Sequence, residues 1–302
     1  MKEFIISKKE ENKDIYAVIK NMFPNLKSST LNKAFRTKDV KVNDTRVNKD
    51  FLVKEHDIVK VYITDNLLYG ISKDIFYAYE DENILVAYKP KGIVSNFEGG
   101  KKLQTTPYFD EIIREKNPNC TICHRLDTNT EGLIIFAKND VALNEILTAF
   151  KDKKITKEYL TLVYGKLPKT QDTLSHYIFK DAKSGISKIY DTYKKGYKDC
   201  ITEYSVKEYL RNINCSILSI KLHTGRTHQI RSHMKYIGNP VIGDSKYGTN
   251  KINDTFKLYS QVLFACKYTF NLDKTSPLYY LNNVNIDITD DVINKIYELI
   301  KK

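Results

Sequence analysis

Residues 123 to 139 read CHRLDTNTEGLIIFAKN, and they set the chemistry to be expected. Asp127 directly follows His124, Arg125 and Leu126. A polar turn comes next (Thr128 to Gly132), then an apolar run from Leu133 to Ala137 that reads as a buried strand. A carboxylate beside a guanidinium and backed by an apolar wall has its charge, orientation and solvent access fixed by the fold. Catalytic carboxylates need all three. The same residues also suit a plain turn in which Asp127 and Thr128 cap backbone groups. A second polar cluster lies at 222–248, LHTGRTHQIRSHMKYIGNPVIGDSKYG. Gly225 permits a sharp turn, and Thr227 is expected to cap a helix running to about Ile237, with Gly238 as its stop. Ile230, Met234 and Ile237 form its buried stripe, and His228, Arg231 and Lys235 share a second face, from which an arginine can hold a carboxylate bidentately. A third candidate is Tyr159, in the alternating stretch 154–165 that reads as a half-buried strand. A tyrosine can stack on a base and carries a titratable hydroxyl. With 22 tyrosines in the chain, the position alone decides nothing.

The HRLD run, with Thr130 and Gly132 in register, resembles the central motif of the RluA family of RNA pseudouridine synthases, usually HRLD-x-x-T-S-G. Glu131 stands where that family usually has Ser, placing a negative charge four residues from Asp127. G-R-T-H-Q-I-R-x-H from Gly225 and G-D-x-K-Y-G from Gly243 resemble the same family. So do Lys157-x-Tyr159, Lys89-Pro90-x-Gly92 and the strand 200–204, where Cys200 replaces Ala; Phe264 stands where His is frequent. The resemblance implies an α+β catalytic domain built on a mixed, mostly antiparallel sheet. It implies Asp127 as nucleophile or base, Arg231 as its salt-bridge partner with Arg226 as the alternative, and Tyr159 against the target base. Arg125 would fill the gap left by the flipped nucleotide, and His124, Arg226 and His228 would contact RNA. The Lys-Pro-x-Gly turn would hold its strand against the catalytic loop. Pseudouridine formation breaks a glycosidic bond, turns the uracil and rejoins it through carbon 5. It needs no redox step and no external energy, so no cofactor is expected, and neither G-x-G-x-x-G nor G-x-x-x-x-G-K occurs.

The elements that must position these residues divide into two domains with a linker: 1–63, 64–74 and 75–302. In the first, Ile15, Val18, Ile19 and Met22 fit one helix face, ended by Pro24. Ser28, Ser29 or Thr30 is expected to cap a second helix with Leu31, Ala34 and Phe35 as its stripe. A strand with Val40 and Val42, an Asn43-Asp44 turn and a strand at 58–61 follow, and residues 1–13 read as loose or an edge strand. Between Lys20 and Lys49 there are eight basic residues against two acidic ones. Lys33, Arg36 and Lys38 offer phosphate contacts. The pattern L-x-S-S-x-L-x-x-A-F with V-x-V-N and K-E-H-D-I-V resembles the S-four RNA-binding domain, departing from it at Asp44 and His56. In the second domain, 140–150 reads as a helix with Leu143, Ile146, Leu147 and Phe150 on one side. Residues 290–300 read as a closing helix, with Thr289 as its cap.

The chain has 302 residues, 41% of them hydrophobic, and a formal charge of +12. That balance favours a polyanionic partner. No apolar stretch approaches the ~18 residues needed to span a membrane, and the charged start excludes a signal peptide. RNA is therefore the expected partner, ribosomal RNA first and transfer RNA second, for a monomer in the cytoplasm. The five scattered cysteines fit a reducing compartment. Cys120-x-x-Cys123 lacks a second knuckle and reads as free thiols near a core strand, so no metal is expected. Two other readings fit parts of the chain: a non-catalytic RNA-binding protein that keeps the fold, and a hydrolase using Asp127 with His124 or His228.

Overall fold

The computed structural model describes every residue except 1, 64–67, 69–74, 98–106, 183 and 302. The chain divides into two compact units. The first comprises Met1–Asp74 with Lys91–Ile93 and Phe97–Tyr108, and the second comprises Ile75–Pro90, Val94–Asn96 and Phe109–Lys302. The expected linker falls outside the described residues, apart from Leu68, which is buried in the core of the first unit.

In the first unit, Asp14 starts helix α1 (Ile15–Met22) by accepting the Ala17 N–H at 2.7 Å. Ile15, Val18 and Ile19 are buried, but Met22 is 46% exposed; Phe23, one residue on, takes the inner place. Helix α2 (Ser28–Arg36) follows Lys27 and has no side-chain cap, contrary to the expected Ser or Thr. The Lys27 carbonyl accepts the Thr30 and Leu31 N–H groups, which closes the first turn. Strands β1 (Lys2–Ile5), β2 (Val40–Val42), β3 (Thr45–Arg46) and β4 (Ile58–Val61) form an antiparallel sheet in the order β1-β4-β2-β3. β1 is thus an edge strand. Asn43 and Asp44 both take positive φ in the β2–β3 turn, as a two-residue hairpin requires. Lys33, Arg36 and Lys38 are all exposed.

The second unit is built on one eleven-stranded sheet. Its strands are β5 (Tyr77–Glu80), β6 (Ile84–Lys89), β7 (Thr121–Ile122), β8 (Glu131–Ala137), β9 (Ile155–Tyr164), β10 (Gln171–Lys180), β11 (Ser187–Tyr190), β12 (Lys198–Leu210), β13 (Cys215–Leu222), β14 (Leu263–Phe270) and β15 (Ile286–Asp287). The main path runs β11-β10-β12-β13-β9-β14-β8-β6-β5. Every pair is antiparallel except β14 with β8, so the expected mixed, mostly antiparallel sheet is what forms. The helices are α3 (Phe109–Lys116), α4 (Asp140–Lys151), α5 (Gln229–Tyr236), α6 (Asn250–Phe256) and α7 (Thr289–Ile300).

β9 lies between β13 and β14, so Tyr159 to Val163 is continuously buried rather than half-buried. Alternation there reflects side-chain type, whereas both faces of a central strand are covered. In α4, capped by Asn139, Ile146 is buried but Leu147 is exposed. In α7, Val292 and Ile296 face inward, and Thr289 is the first helical residue rather than the cap. Cys120 and Cys123 are free and buried, and among the described residues no cluster of His, Cys, Asp or Glu could hold a metal ion. Nor is any described helix long and apolar enough to cross a membrane.

The parallel pair depends on one glycine. Gly132 sits opposite Ala265 with φ +117°, and a β-carbon there would fall 2.1 Å from the Ala265 carbonyl oxygen. Both the dihedral and the contact exclude a side chain. Gly132→Ala is therefore expected to cost at least about 2–3 kcal/mol, read as a lower urea midpoint and thermal midpoint. Gly185→Ala, in a loop with nothing within 4 Å, serves as the control for positive-φ strain alone.

Candidate active site

Asp127 sits in the loop between β7 and β8, and that loop is pinned from several directions. The Ser95 hydroxyl bridges the Leu126 N–H and carbonyl, at 3.0 and 2.9 Å. The Thr130 N–H donates to the Asp127 carbonyl at 3.0 Å, and Gln261 Nε2 donates to Thr130 Oγ1 at 3.2 Å. From below, the fully buried Lys89 donates from Nζ to the carbonyls of Pro90 and Thr128. The Lys-Pro-x-Gly turn thus does hold β6 against the loop. Burial pushes the Lys89 ammonium down to about 7, against the upward pull of Glu131 and Asp127.

Helix α5 supplies the cation. Arg231 is 5% exposed and divides its guanidinium between two carboxylates. Nε and Nη2 reach Asp244 at 2.6 and 2.9 Å, while Nη1 reaches Asp127 Oδ2 at 3.0 Å. Asp244 Oδ1 also accepts the Lys246 and Tyr247 N–H groups, so this buried carboxylate is saturated. The Tyr247 ring lies under the guanidinium, 5.1 Å from centroid to Cζ. Burial alone would raise the Asp244 carboxyl, but the hydrogen bonds and charge of Arg231 outweigh it and hold the group low.

His228 completes this wall. It precedes α5 in the left-handed region (φ 57°), and Thr227 does not cap the helix. Gln229 closes the turn instead, its Oε1 accepting from the Arg226 N–H and the Thr224 hydroxyl. The His228 Nε2 lies 3.9 Å from Asp127 Oδ2. Its Nδ1 lies 2.9 Å from the Tyr247 hydroxyl, whose oxygen already accepts the Ser187 N–H. Burial lowers the His228 pKa more than Asp127 raises it, so the ring is neutral at neutral pH.

A cavity of about 300 Å³ opens above Asp127, lined by Arg125, Asp127, Lys157, Tyr159, Arg226, His228 and Arg231 among others. Tyr159 reaches it from the sheet centre and is 6% exposed; burial and the Asp127 charge raise its pKa, so the phenol stays protonated. Arg125 is exposed at the rim. Of the two candidate partners of Asp127, Arg231 is the one in contact; Arg226 is exposed and turns its Nε to the Asp199 carbonyl at 3.1 Å. His124 also lines the cavity, but its nitrogens face the protein. Nε2 accepts the Ile135 N–H at 3.1 Å and lies 3.0 Å from the Tyr268 hydroxyl, and Nδ1 is buried without a partner. Burial and the Lys157 charge keep the ring neutral. The Ile135 contact fastens the loop to β8.

The sequence reading assigned no role to Asp244, Tyr247 or Lys157. The Gly243-Asp244-x-Lys246-Tyr247-Gly248 run was the available signal, but spacing does not show that it folds back onto α5. Lys157, half-buried beside the Phe150 ring at 4.7 Å, has its pKa lowered by desolvation. Glu131 is absent from the cavity lining. It is buried against Lys295 of α7, 2.6 Å from Nζ, and against the Tyr88 hydroxyl at 3.1 Å.

A twisted mixed sheet with a carboxylate loop at one edge of its central strands places this unit among known folds. It superposes on human RNA pseudouridylate synthase domain containing 1 with a TM-score of 0.55 at 26% identity, covering 67% of this chain and 80% of that one. The human domain-containing-4 protein gives 0.53 at 16% identity over 64% and 83%, a likeness of fold alone. The sequence profile of the RNA pseudouridylate synthase family matches residues 83–236. An uncharacterized RNA pseudouridine synthase of Mycoplasma capricolum is 32% identical over 98% of this chain and all of its own length. The ribosomal large subunit pseudouridine synthase C of Rickettsia bellii is 31% identical over 87% of this chain and 94% of its own. The chain belongs to the RNA pseudouridine synthases.

Two predictions follow from the Arg231 bridge. Arg231→Met strands Asp244 as a buried unpaired charge and is expected to cost about 3–5 kcal/mol, whereas Arg226→Ala leaves the unfolding free energy, measured by urea titration, within about 0.5 kcal/mol of wild type. Asp244 sets an acid limb. Its folded pKa lies below the usual 3.8, so its contribution is complete above the unfolded value and is lost as pH falls through the folded one. Asp244→Asn is expected to lower stability at pH 7 and to flatten the fall in stability below pH 4, measured by urea unfolding across pH.

Proposed function

We propose that this chain converts a uridine of large-subunit ribosomal RNA to pseudouridine, with Asp127 as the catalytic carboxylate. The observation that carries the reading is the Arg231 contact, which falls on Oδ2 of an Asp127 that lines a nucleoside-sized cavity shared with Tyr159. The two close contacts of the carboxylate, Arg231 and His228, both fall on Oδ2, leaving Oδ1 to the substrate. The bond from uracil N1 to the sugar breaks, C5 bonds to the sugar in its place, and the C5 proton is lost while N1 gains one. A fixed carboxylate serves attack on the sugar, attack on C6 of the ring, or removal of a sugar proton, and each route needs the same atom within reach.

The uridine must leave its stack to enter the cavity, at a cost of a few kcal/mol. Stacking on Tyr159 and the charge of Arg125 at the rim offset that cost. The neutral Tyr159 phenol donates a hydrogen bond or a proton and does not act as a resident phenolate. The first unit acts as an S-four-like RNA-binding domain, with Lys33, Arg36 and Lys38 on phosphates. Its motif pattern and its exposed basic residues support this role. The choice of ribosomal RNA rests on the names of the Rickettsia and Buchnera relatives.

The test is pseudouridine mapping of total RNA by carbodiimide modification and primer extension, in a deletion strain carrying either the wild-type gene or Asp127→Asn. One stop, present with wild type and lost with the variant, is expected in large-subunit RNA. Identical maps with both proteins folded would sink the catalytic assignment; a stop in transfer RNA would move the substrate.

A further inference from the structure

Beside the Asp127 cavity lies a second groove of about 320 Å³, lined by Ile178–Lys180, Ser187, Gly196, Lys198 and the turn Gly225–Thr227. Gly225, Arg226 and Thr227 line both spaces, so the two are continuous across one turn. Strand register accounts for the cations. Ile178 pairs with Ile189 on one side and with Lys198 on the other, and Lys180 pairs with Ser187. Directly opposed residues share a face, as do residues two apart. Ile178, Lys180, Ser187 and Lys198 therefore project together, while Asp199, opposite Tyr177, projects from the other face.

Lys180 and Lys198 are both exposed, and neither side chain has an ion pair or hydrogen bond among the described residues. Arg226, at the junction, is steadied by its Nε contact to the Asp199 carbonyl. The turn carrying it is held by Gln229 and by the Ser187 hydroxyl, which donates to the Thr227 carbonyl at 2.8 Å. The groove thus presents three cations and, among the described residues that line it, no carboxylate, and it adjoins the Asp127 cavity along the Gly225–Thr227 turn.

We propose that this groove holds the phosphodiester backbone of the RNA strand immediately flanking the target uridine, with Lys180, Lys198 and Arg226 against its phosphates. The proposal rests on the reading of the Asp127 cavity as the place that receives the flipped uridine. Charge complementarity and continuity with that cavity identify the occupant. A phosphate held beside the cavity fixes the register of the strand without reading its bases. Flipping a nucleotide also requires that its neighbour be held while the base swings out.

The test uses the full-length protein and an in vitro transcript of large-subunit ribosomal RNA. Wild type is compared with Lys180→Ala, Lys198→Ala, their double variant, the double Lys→Arg variant, and Lys188→Ala. Lys188 is exposed and does not line the groove, so its loss removes equal charge outside it. Each groove alanine is expected to raise the dissociation constant and KM about threefold to tenfold, with more of the loss in KM than in kcat. Each should also reduce the slope of log affinity against log salt by about 1, and the arginine pair should restore affinity. Lys188→Ala should match wild type. Turnover by wild type with the groove variants no weaker than Lys188→Ala would overturn the proposal alone. A wild-type protein that forms no pseudouridine in this transcript or in total RNA would overturn the catalytic reading, and this proposal with it.

Discussion

One guanidinium holds the site together. Arg231 is buried, and its planar fork meets Asp244 edge-on while its remaining nitrogen reaches Asp127. Asp244 anchors the cation, its other hydrogen bonds coming from the backbone of 246 and 247. The arrangement works because arginine can serve two carboxylates in fixed geometry, which a lysine's single rotating ammonium does not. Dehydration makes the bridge strong and also makes it intolerant of losing any member.

The scaffold is arranged around that bridge. α5, which carries Arg231, is tied to the sheet by His233, whose ring nitrogens meet Thr202 Oγ1 at 2.8 Å and His176 Nδ1 at 2.9 Å. Burial and the neighbouring His176 bring the His233 pKa down to about 3, so the tie stays neutral across the physiological range. On the other side, Lys89 and His124 fix the Asp127 loop to β6 and β8. The Asp127 carboxylate thus lies between two immobilised walls, an arrangement suited to preorganised charge stabilisation.

Much of this was legible in the sequence. Motif residues fall where local spacing places them: Asp127 in a turn before a buried strand, Arg231 on a helix, Tyr159 on a strand. Long-range partners were not legible. Periodicity reports which way a side chain faces, not what lies across from it. Glu131 shows the difference. Its sequence neighbours suggested a charge at the active-site wall, yet the strand turns it to the opposite side, where Lys295, 164 residues later, neutralises it. The choice between Arg231 and Arg226 likewise depended on a turn closed by Gln229 rather than by Thr227. The strand order is equally hidden, because nothing in the alternation along β9 shows that β13 and β14 flank it.

The placement of β14 also bears on how the protein is made. Residues 263–270 slot between β8 and β9, whose partners lie more than a hundred positions earlier in the chain. Until that strand arrives, the ribosome carries two half-sheets with open edges, and the glycine at 132 has nothing to lie against. Contacts this remote in sequence close slowly and late. A chain interrupted before residue 263 is therefore an unfinished sheet with exposed edges, prone to aggregation.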